Sequence, residues 1–132
     1  MGKKRVFLSF RVEDKPQVQA LRLMSANDKF DIEFFDESVR SSINSTDRDY
    51  VRSKIREKIN RTSVTVCLIG PQTYTSEWVD WELEESFEKG NTVMAMGLKG
   101  VDNAILPRPI RTHGLTFHAW SPDRLANLID AA

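Results

Sequence analysis

Trp78 and Glu82 are the two side chains whose types and spacing most suggest chemistry. Residues at i and i+4 project from the same face of a helix, so on a helix the indole and the carboxylate would be neighbours. An aromatic ring beside a carboxylate suits a nucleoside, because the ring covers the base while the carboxylate accepts hydrogen bonds from ribose hydroxyls. The alternative is that Glu82 is one more solvated carboxylate on an acidic helix, with Trp78 in the core.

The glycines exclude two common kinds of nucleotide site. None of them forms a G-x-G-x-x-G turn or a P-loop, which argues against Rossmann and Walker sites. The turn after the first predicted strand, residues 11–14, lacks the serines and threonines that a flavin phosphate would need. The third predicted strand ends at residues 68–70 without the carboxylate of a phospho-receiver.

The cysteine and histidine content argues against a metal site. A single cysteine, Cys67, excludes an intramolecular disulfide and a multi-cysteine zinc site. Two histidines, His113 and His118, are too few for a histidine-rich site. Cys67 is most simply a small hydrophobe in a central strand. We therefore expect no metal at the functional site.

The length and charge of the chain favour a single domain and argue against a nucleic-acid-binding or membrane-associated protein. The chain has 132 residues, which predicts one domain over residues 1–132. Lys plus Arg and Asp plus Glu both number 19, so no strong field for nucleic acid or a membrane surface is expected. The apolar run at residues 6–10 is too short for a signal peptide or a membrane span. We expect a cytoplasmic protein that binds neither nucleic acid nor membrane.

Apolar runs rich in β-branched residues alternate with segments of helical periodicity. The runs cover residues 6–10, 32–35, 64–69, 92–98 and 115–117. This alternation is typical of an α/β fold, in which helices cover both faces of a parallel sheet. Residues 64–69 are almost continuously apolar, as expected of a central strand. Residues 99–114 predict a loop-rich stretch with room for a degenerate helix.

The helices between these runs have readable ends. Capping residues are expected at Asp14, at Ser45 or Thr46, at Thr75 or Ser76, and at Ser121. Gly90 is expected to end the third helix in the left-handed conformation. The apolar stripe of that helix is Val79, Leu83 and Phe87. Glu82 is then predicted at the edge of the stripe, where it can reach a cleft without being buried in the core.

The carboxyl ends of the strands are the expected location of a ligand, as in other open α/β sheets. This edge would present Phe10 and Arg11, Asp36 and Glu37, residues 70–74, and Gly97 and Leu98. The start of the third helix, residues 76–82, borders the same edge. Two of these candidates also have plain structural interpretations, Arg11 as a solvated loop residue and Asp36 as a turn cap.

Two motifs, in this order and on these elements, resemble the TIR domain family. Residues 6–14 (VFLSFRVED) are similar to the opening strand and loop of plant and bacterial TIR domains. Residues 76–83 (SEWVDWEL) match the family's Ser-x-Trp-x-x-x-Glu-Leu helix. Residues 60–70 and 88–91 are similar to the TIR-like proteins of the Thoeris antiphage system. The resemblance covers almost the whole chain, about residues 4–130.

The resemblance implies a flavodoxin-like, three-layer fold with a five-stranded parallel sheet flanked by helices. It also implies cleavage of NAD+ at the nicotinamide–ribose bond, with NAD+ as the substrate and no further cofactor. Glu82 matches the position of the family's catalytic glutamate. Substrate contacts are expected from strand ends and the helix start, namely Phe10, Arg11, Asp36, Ser76 and Trp78.

Family members either hydrolyse the product or cyclise it into an ADP-ribose isomer used as a signal. The likeness to the Thoeris branch favours the cyclic isomer. It further implies a role in antiviral defence, a phage-derived trigger and a downstream effector that binds the signal. Two alternatives stay open: a non-catalytic TIR interaction module, in which Glu82 points away from the cleft, and a nucleoside deoxyribosyltransferase, which shares the fold type and also uses a carboxylate.

Charge is segregated between the second and third predicted helices. The charged residues of segment 48–61 are mostly basic, whereas residues 77–88 hold acidic residues and no basic one. These charges can simply be solvated. The alternative is head-to-tail association of a basic face with an acidic one on activation, giving a homo-oligomer that propagates and weakens with salt.

Overall fold

The computed structural model describes residues 4–24, 32–36 and 47–132, with the backbone alone at 22–24 and 32–36. The strands are β1 (Lys4–Ser9), β2 (Ile32–Asp36), β3 (Val64–Ile69), β4 (Thr92–Gly97) and β5 (Phe117–His118). The helices are α1 (Lys15–Met24), α2 (Arg48–Asn60), α3 (Glu77–Lys89), α4 (Arg108–Thr112) and α5 (Pro122–Ala131). Short 3-10 turns lie at Val12–Asp14 and Thr73–Thr75.

The five described strands form one parallel sheet in the order β2-β1-β3-β4-β5. The predicted α/β class and flavodoxin-like sheet are therefore confirmed. The chain order reverses between β1 and β3, whose last paired residues are Ser9 and Cys67. In such sheets the crevice for a ligand lies outside the carboxyl ends of the strands at this reversal. The topology thus predicts a ligand site beside the residues that follow β1 and β3.

Alternation along β1 divides the core into two layers, because successive side chains of a strand point to opposite faces. On one face, Val6, Leu8 and Phe10 pack with α1 and α5 in a single buried cluster. On the other face, Phe7 packs with the buried stripe of α2, which is Val51, Ile55 and Ile59. β3 is buried along its whole length, as its apolar sequence predicts.

The cap predictions hold at α3 and α5 and fail at α1. The Ser76 hydroxyl accepts the backbone N–H of Val79 at 3.2 Å, and Gly90 ends α3 with φ 93°. Ser121 caps α5 in the same way. Asp14 does not cap α1, because the chain enters that helix through the 3-10 turn that Asp14 ends. The predicted caps Ser45 and Thr46 lie outside the described residues.

Two further boundaries differ from the sequence prediction. The cap of α2 is Asp47, whose carboxylate accepts the N–H groups of Asp49 and Tyr50. The predicted strand at 115–117 is shifted to Phe117–His118, because the N–H of Leu115 bonds to the Ile110 carbonyl and still belongs to the end of α4. The loop-rich stretch does contain a short helix, α4.

α2 and α3 lie side by side, and their opposite charges pair within the chain. Arg56 donates to both carboxylate oxygens of Glu85, at 3.2 and 3.3 Å. Arg48 and Glu77 approach to 3.7 Å at the start of both helices. The charge segregation that suggested head-to-tail assembly therefore has an intrachain explanation, and association on activation is left without that support.

No helix in the described ranges is both long and apolar enough to cross a membrane.

Because α3 packs on the sheet, truncating one of its buried apolar side chains should lower the free energy of unfolding substantially. Leu83 is 0% exposed, so Leu83→Ala should lower the free energy of unfolding by about 2–5 kcal/mol. Ile105 is 54% exposed, and Ile105→Ala should change it by less than about 0.5 kcal/mol. Urea unfolding followed by circular dichroism measures both. Equal losses in the two variants would contradict this assignment of the core.

Candidate active site

A cleft of about 510 Å³ lies where β1 ends and α3 begins. One wall is the turn after β1, with Arg11, Val12 and Glu13, and the other is the start of α3, residues 75–78. Both walls stand at the carboxyl edge of the sheet, next to the reversal of strand order. The cleft therefore lies where the sequence placed the candidate site.

Phe10 is not among the residues that line this cleft. Its side chain is 1% exposed and belongs to the buried cluster that β1 forms with α1 and α5. The prediction that its side chain contacts substrate is not supported by this position, because the ring points into the core. Phe10 anchors the end of β1, and the bond from the Asp14 N–H to the Arg11 carbonyl, at 2.8 Å, closes the following turn.

Arg11 lines the cleft, as predicted for a substrate-binding residue. Its Nε lies 3.2 Å from Oε2 of Glu13, and the arginine side chain is 29% exposed. A half-exposed ion pair of this kind contributes little to stability. The guanidinium can therefore exchange Glu13 for another anion, such as a phosphate, at small cost.

Ser76 and Trp78 form the α3 side of the cleft. Ser76 is occupied as the helix cap, so any contact it makes with substrate is additional to that role. Trp78 borders the cleft and also packs on the layer formed by Phe7 and α2. It meets Trp81 edge to face, with ring centroids 5.9 Å apart. This packing holds the indole in place at the mouth of the cleft.

Glu82 is more deeply placed than the sequence predicted. It is 0% exposed, so the expectation of an unburied carboxylate at the edge of the apolar stripe is wrong. α3 buries Glu82 and Ser86 alongside Val79 and Leu83, because the helix packs on β1 as well as on β3 and β4 and so buries a broader face than one stripe. The residues that line the cleft do not include Glu82, which lies one turn beyond Trp78.

Ser9 is a neighbour of Glu82 that the sequence analysis did not identify. Its hydroxyl donates to Oε1 of Glu82 at 2.8 Å, a fully buried hydrogen bond between residues 73 positions apart. The available signal was a lone hydroxyl within the otherwise apolar run of residues 6–10. The end of β1 thus contacts the candidate catalytic carboxylate directly.

Asp36 is the last residue of β2 and pairs in register with Leu8. That register places its backbone at the carboxyl edge of the sheet, on the strand next to β1. The side chain is outside the described part of the structure, so its substrate contact stays a prediction.

Burial raises the pKa of two further groups near the site, the Asp14 carboxyl group and the Cys67 thiol. Burial raises the pKa of Asp14, and the carboxylate lies against Gly70, where an added Cβ would meet Oδ2 at 2.6 Å. Burial also raises the pKa of the Cys67 thiol, and the carboxylates of Glu82 and Asp80 add to the shift. Cys67 is therefore protonated at neutral pH and is no nucleophile. Within the described ranges, no group of three His, Cys, Asp or Glu side chains is placed to hold a metal ion.

The family model of the Thoeris protein ThsB, TIR-like domain, matches residues 7–103. The chain belongs to this TIR-like family. The matched range contains the second half of β1, all of β2 to β4 and α3, and so every residue of the candidate site.

One relative of this TIR-like chain is a Bacillus cereus (strain MSX-D12) protein named "Putative cyclic ADP-D-ribose synthase ThsB1". The two are 32% identical over 97 residues, which is 70% of this chain and 50% of the relative. The chain thus spans about half the length of that relative.

Two solved structures resemble the fold at low identity. The TIR domain of the Toll-related receptor TRR-2 from Hydra magnipapillata has a TM-score of 0.63 and 13% identity, over 94% of this chain and 90% of that one. A 2-deoxyribosyltransferase from Leishmania mexicana has a TM-score of 0.61 and 12% identity, over 96% of this chain and 97% of that one. Both likenesses show the fold alone.

The Ser9–Glu82 contact in this TIR-like domain predicts strong energetic coupling. Ser9→Ala should lower the free energy of unfolding by about 1–3 kcal/mol, because a buried acceptor loses its donor. In a double-mutant cycle with Glu82→Ala, the coupling energy should be about 0.5–3 kcal/mol. The exposed pair of Arg108 and Glu84, at 2.7 Å, is the matched control and should couple by less than about 1 kcal/mol. Additive losses at Ser9 and Glu82 would show that the contact does not form in solution.

Proposed function

We propose that this chain cleaves NAD+ at the nicotinamide–ribose bond, with Glu82 as the catalytic carboxylate. The observation that carries the proposal is the placement of Glu82 at the end of β1, one helical turn from a cleft that Arg11, Ser76 and Trp78 line. Membership of the TIR-like family of ThsB and the name of the Bacillus cereus relative support the same chemistry.

Each wall of the cleft suits one part of NAD+. Arg11 offers a guanidinium to the diphosphate, and the start of α3 places backbone N–H groups and the positive end of the helix dipole at the same edge. Trp78 offers an aromatic surface to a base or to the nicotinamide ring. With the substrate so placed, the ribose next to nicotinamide lies towards Glu82.

Bond cleavage places positive charge on the ribose. The C1′–N bond breaks, the electron pair leaves with nicotinamide as a neutral base, and the sugar acquires oxocarbenium character, as in glycoside hydrolysis. No general acid is required, because nicotinamide is already cationic in NAD+. A carboxylate held away from water stabilises this charge more strongly than a solvated one does. An oxygen of water, or of the molecule's own second ribose, then bonds to C1′ and loses its proton.

Because Glu82 is buried, this mechanism requires the site to open before the substrate reaches the carboxylate. Since Glu82 is 0% exposed, the ribose reaches the carboxylate only after the site opens towards the cleft. The same burial favours one alternative, a non-catalytic TIR interaction module whose glutamate is structural. A nucleoside deoxyribosyltransferase gains no support beyond the fold.

The decisive experiment is incubation of the purified protein with NAD+, with and without lysate from phage-infected cells, and release of nicotinamide measured by mass spectrometry. Glu82→Gln keeps the side-chain shape and an oxygen that accepts from Ser9 but removes the charge. Turnover should fall about 10³-fold, equivalent to about 4 kcal/mol of transition-state stabilisation.

Glu84→Gln and Glu85→Gln on the same helix are the matched controls and should keep wild-type turnover. Circular dichroism must show that Glu82→Gln is folded, because the side chain is buried. A folded Glu82→Gln protein with wild-type turnover would favour the interaction module, and base exchange between free nucleobases would favour the transferase.

The product of the wild-type protein is expected to be a cyclic ADP-ribose isomer. This expectation follows the resemblance to the Thoeris branch and the name of the relative. Chromatography against linear and cyclic ADP-ribose standards, coupled to mass spectrometry, separates the outcomes. Linear ADP-ribose as the sole product would establish hydrolysis instead. In this proposal the cyclic product is the signal for a downstream effector, and a phage-derived trigger starts its synthesis.

A further inference from the structure

Ser9 has no part in the steps above, yet its hydroxyl connects the sheet to the catalytic carboxylate. Ser9 and Glu82 are both 0% exposed, and the bond from Oγ to Oε1 is 2.8 Å long. The preceding residue on the same face of β1 is Phe7, which lies in the apolar layer with α2. A buried hydroxyl in that layer is costly unless it has a hydrogen-bond partner. Glu82 is that partner, so the hydroxyl and the carboxyl group require each other.

The helix side of this contact is fixed by a second strand. The Ser86 hydroxyl donates to the backbone carbonyl of Glu82 at 2.9 Å, and the Thr65 hydroxyl of β3 donates to Ser86 at 2.8 Å. Thr65 and Ser86 are both 0% exposed. β3 thus holds the backbone around Glu82, while β1 holds its carboxyl group. Two directional contacts from neighbouring strands leave α3 little freedom to rotate or slide at this residue.

We propose that Ser9 is a positioning residue for Glu82, whose hydroxyl sets the rotamer and the plane of the carboxyl group under the reacting ribose. This inference rests on the proposed function. Ser9 acts through Glu82 and touches no substrate atom. A free glutamate side chain populates several rotamers, and a misplacement of about 1 Å at a reacting centre can cost about 10²-fold in rate. The hydroxyl therefore contributes to turnover as well as to stability.

The test compares Ser9→Ala with the wild-type protein in the NAD+ assay, using initial rates over a range of NAD+ concentrations. We expect kcat to fall about 10- to 100-fold. KM should stay unchanged, because Arg11 and Trp78 still bind the ground state. Ser9→Thr keeps the hydroxyl and should restore most of the loss. Ser9→Cys, a weaker donor of similar shape, should be intermediate and replaces Ser9→Ala if that variant does not fold.

A matched control separates positioning from stability. Ile129 of α5 is 0% exposed and lies in the core cluster on the opposite face of the sheet from α3. Ile129→Val removes a buried methyl group and should lower the free energy of unfolding by about 0.5–1.5 kcal/mol, with kcat unchanged for the folded protein. In the Glu82→Gln background, Ser9→Ala should cause no further loss of turnover, because both changes act on the same group.

Several results would overturn the inference. A folded Ser9→Ala variant with wild-type kcat would do so, as would a rise in KM alone or a further loss of turnover in the Glu82→Gln background. If Glu82→Gln is inactive while Ser9→Ala is fully active, the positioning inference fails and the proposed function stands. If the triggered wild-type protein releases no nicotinamide, the proposed function fails and this inference fails with it.

Discussion

The buried hydrogen bond between Ser9 and Glu82 is the constraint on which the site depends. A carboxyl group in an apolar layer needs a directional partner, and β1 supplies one at its last residue. That contact anchors α3 to the end of β1 one turn after Trp78, next to the buried side chains of Val79 and Leu83. The two walls of the cleft, the turn after β1 and the start of α3, are therefore joined through the interior.

The hydrogen bond from β1 holds Glu82 in the interior, while the walls of the cleft remain open to solvent. The cleft walls are a turn and a helix start, whose exposed polar groups can exchange one hydrogen-bonding or ionic partner for another. Arg11 forms a half-exposed ion pair with Glu13, whereas Glu82 lies in the interior. The cleft wall and the Glu82 carboxyl group thus occupy different environments, one open to water and one buried.

The charged and aromatic side chains between α2 and α3 hold the two helices together. Arg48, Arg52 and Arg56 recur at every fourth position of α2, and each guanidinium lies within 6 Å of an indole of Trp78 or Trp81. Glu77 and Glu85 complete the contact with ion pairs. The basic helix and the acidic helix are complementary because they are neighbours in one fold.

The sequence by itself determined the fold class, the strand β3, the buried stripe of α2, the buried positions Val79 and Leu83 of α3, and the ends of α3 at Ser76 and Gly90. Each of these follows from local pattern, since periodicity and capping depend on residues only a few positions apart. The motif at residues 76–83 also identified the helix that carries the site. Local pattern was not sufficient everywhere. Phe87, the third predicted member of the α3 stripe, is only half-buried. Asp14 was expected to cap a helix that the chain enters through a 3-10 turn, and the side chain of Phe10, which was matched to the pocket, lies in the core.

Only the tertiary structure decided the environment of Glu82. Helical periodicity places it beside the apolar stripe, but how much of that face is buried depends on the second strand against which α3 packs. Its partner Ser9 is 73 positions away, and no local pattern links the two. The same holds for the charges of α2 and α3, whose pairing depends on the adjacency of the two helices. Contacts between elements distant in sequence are set by how the layers pack, and that packing is a property of the whole chain.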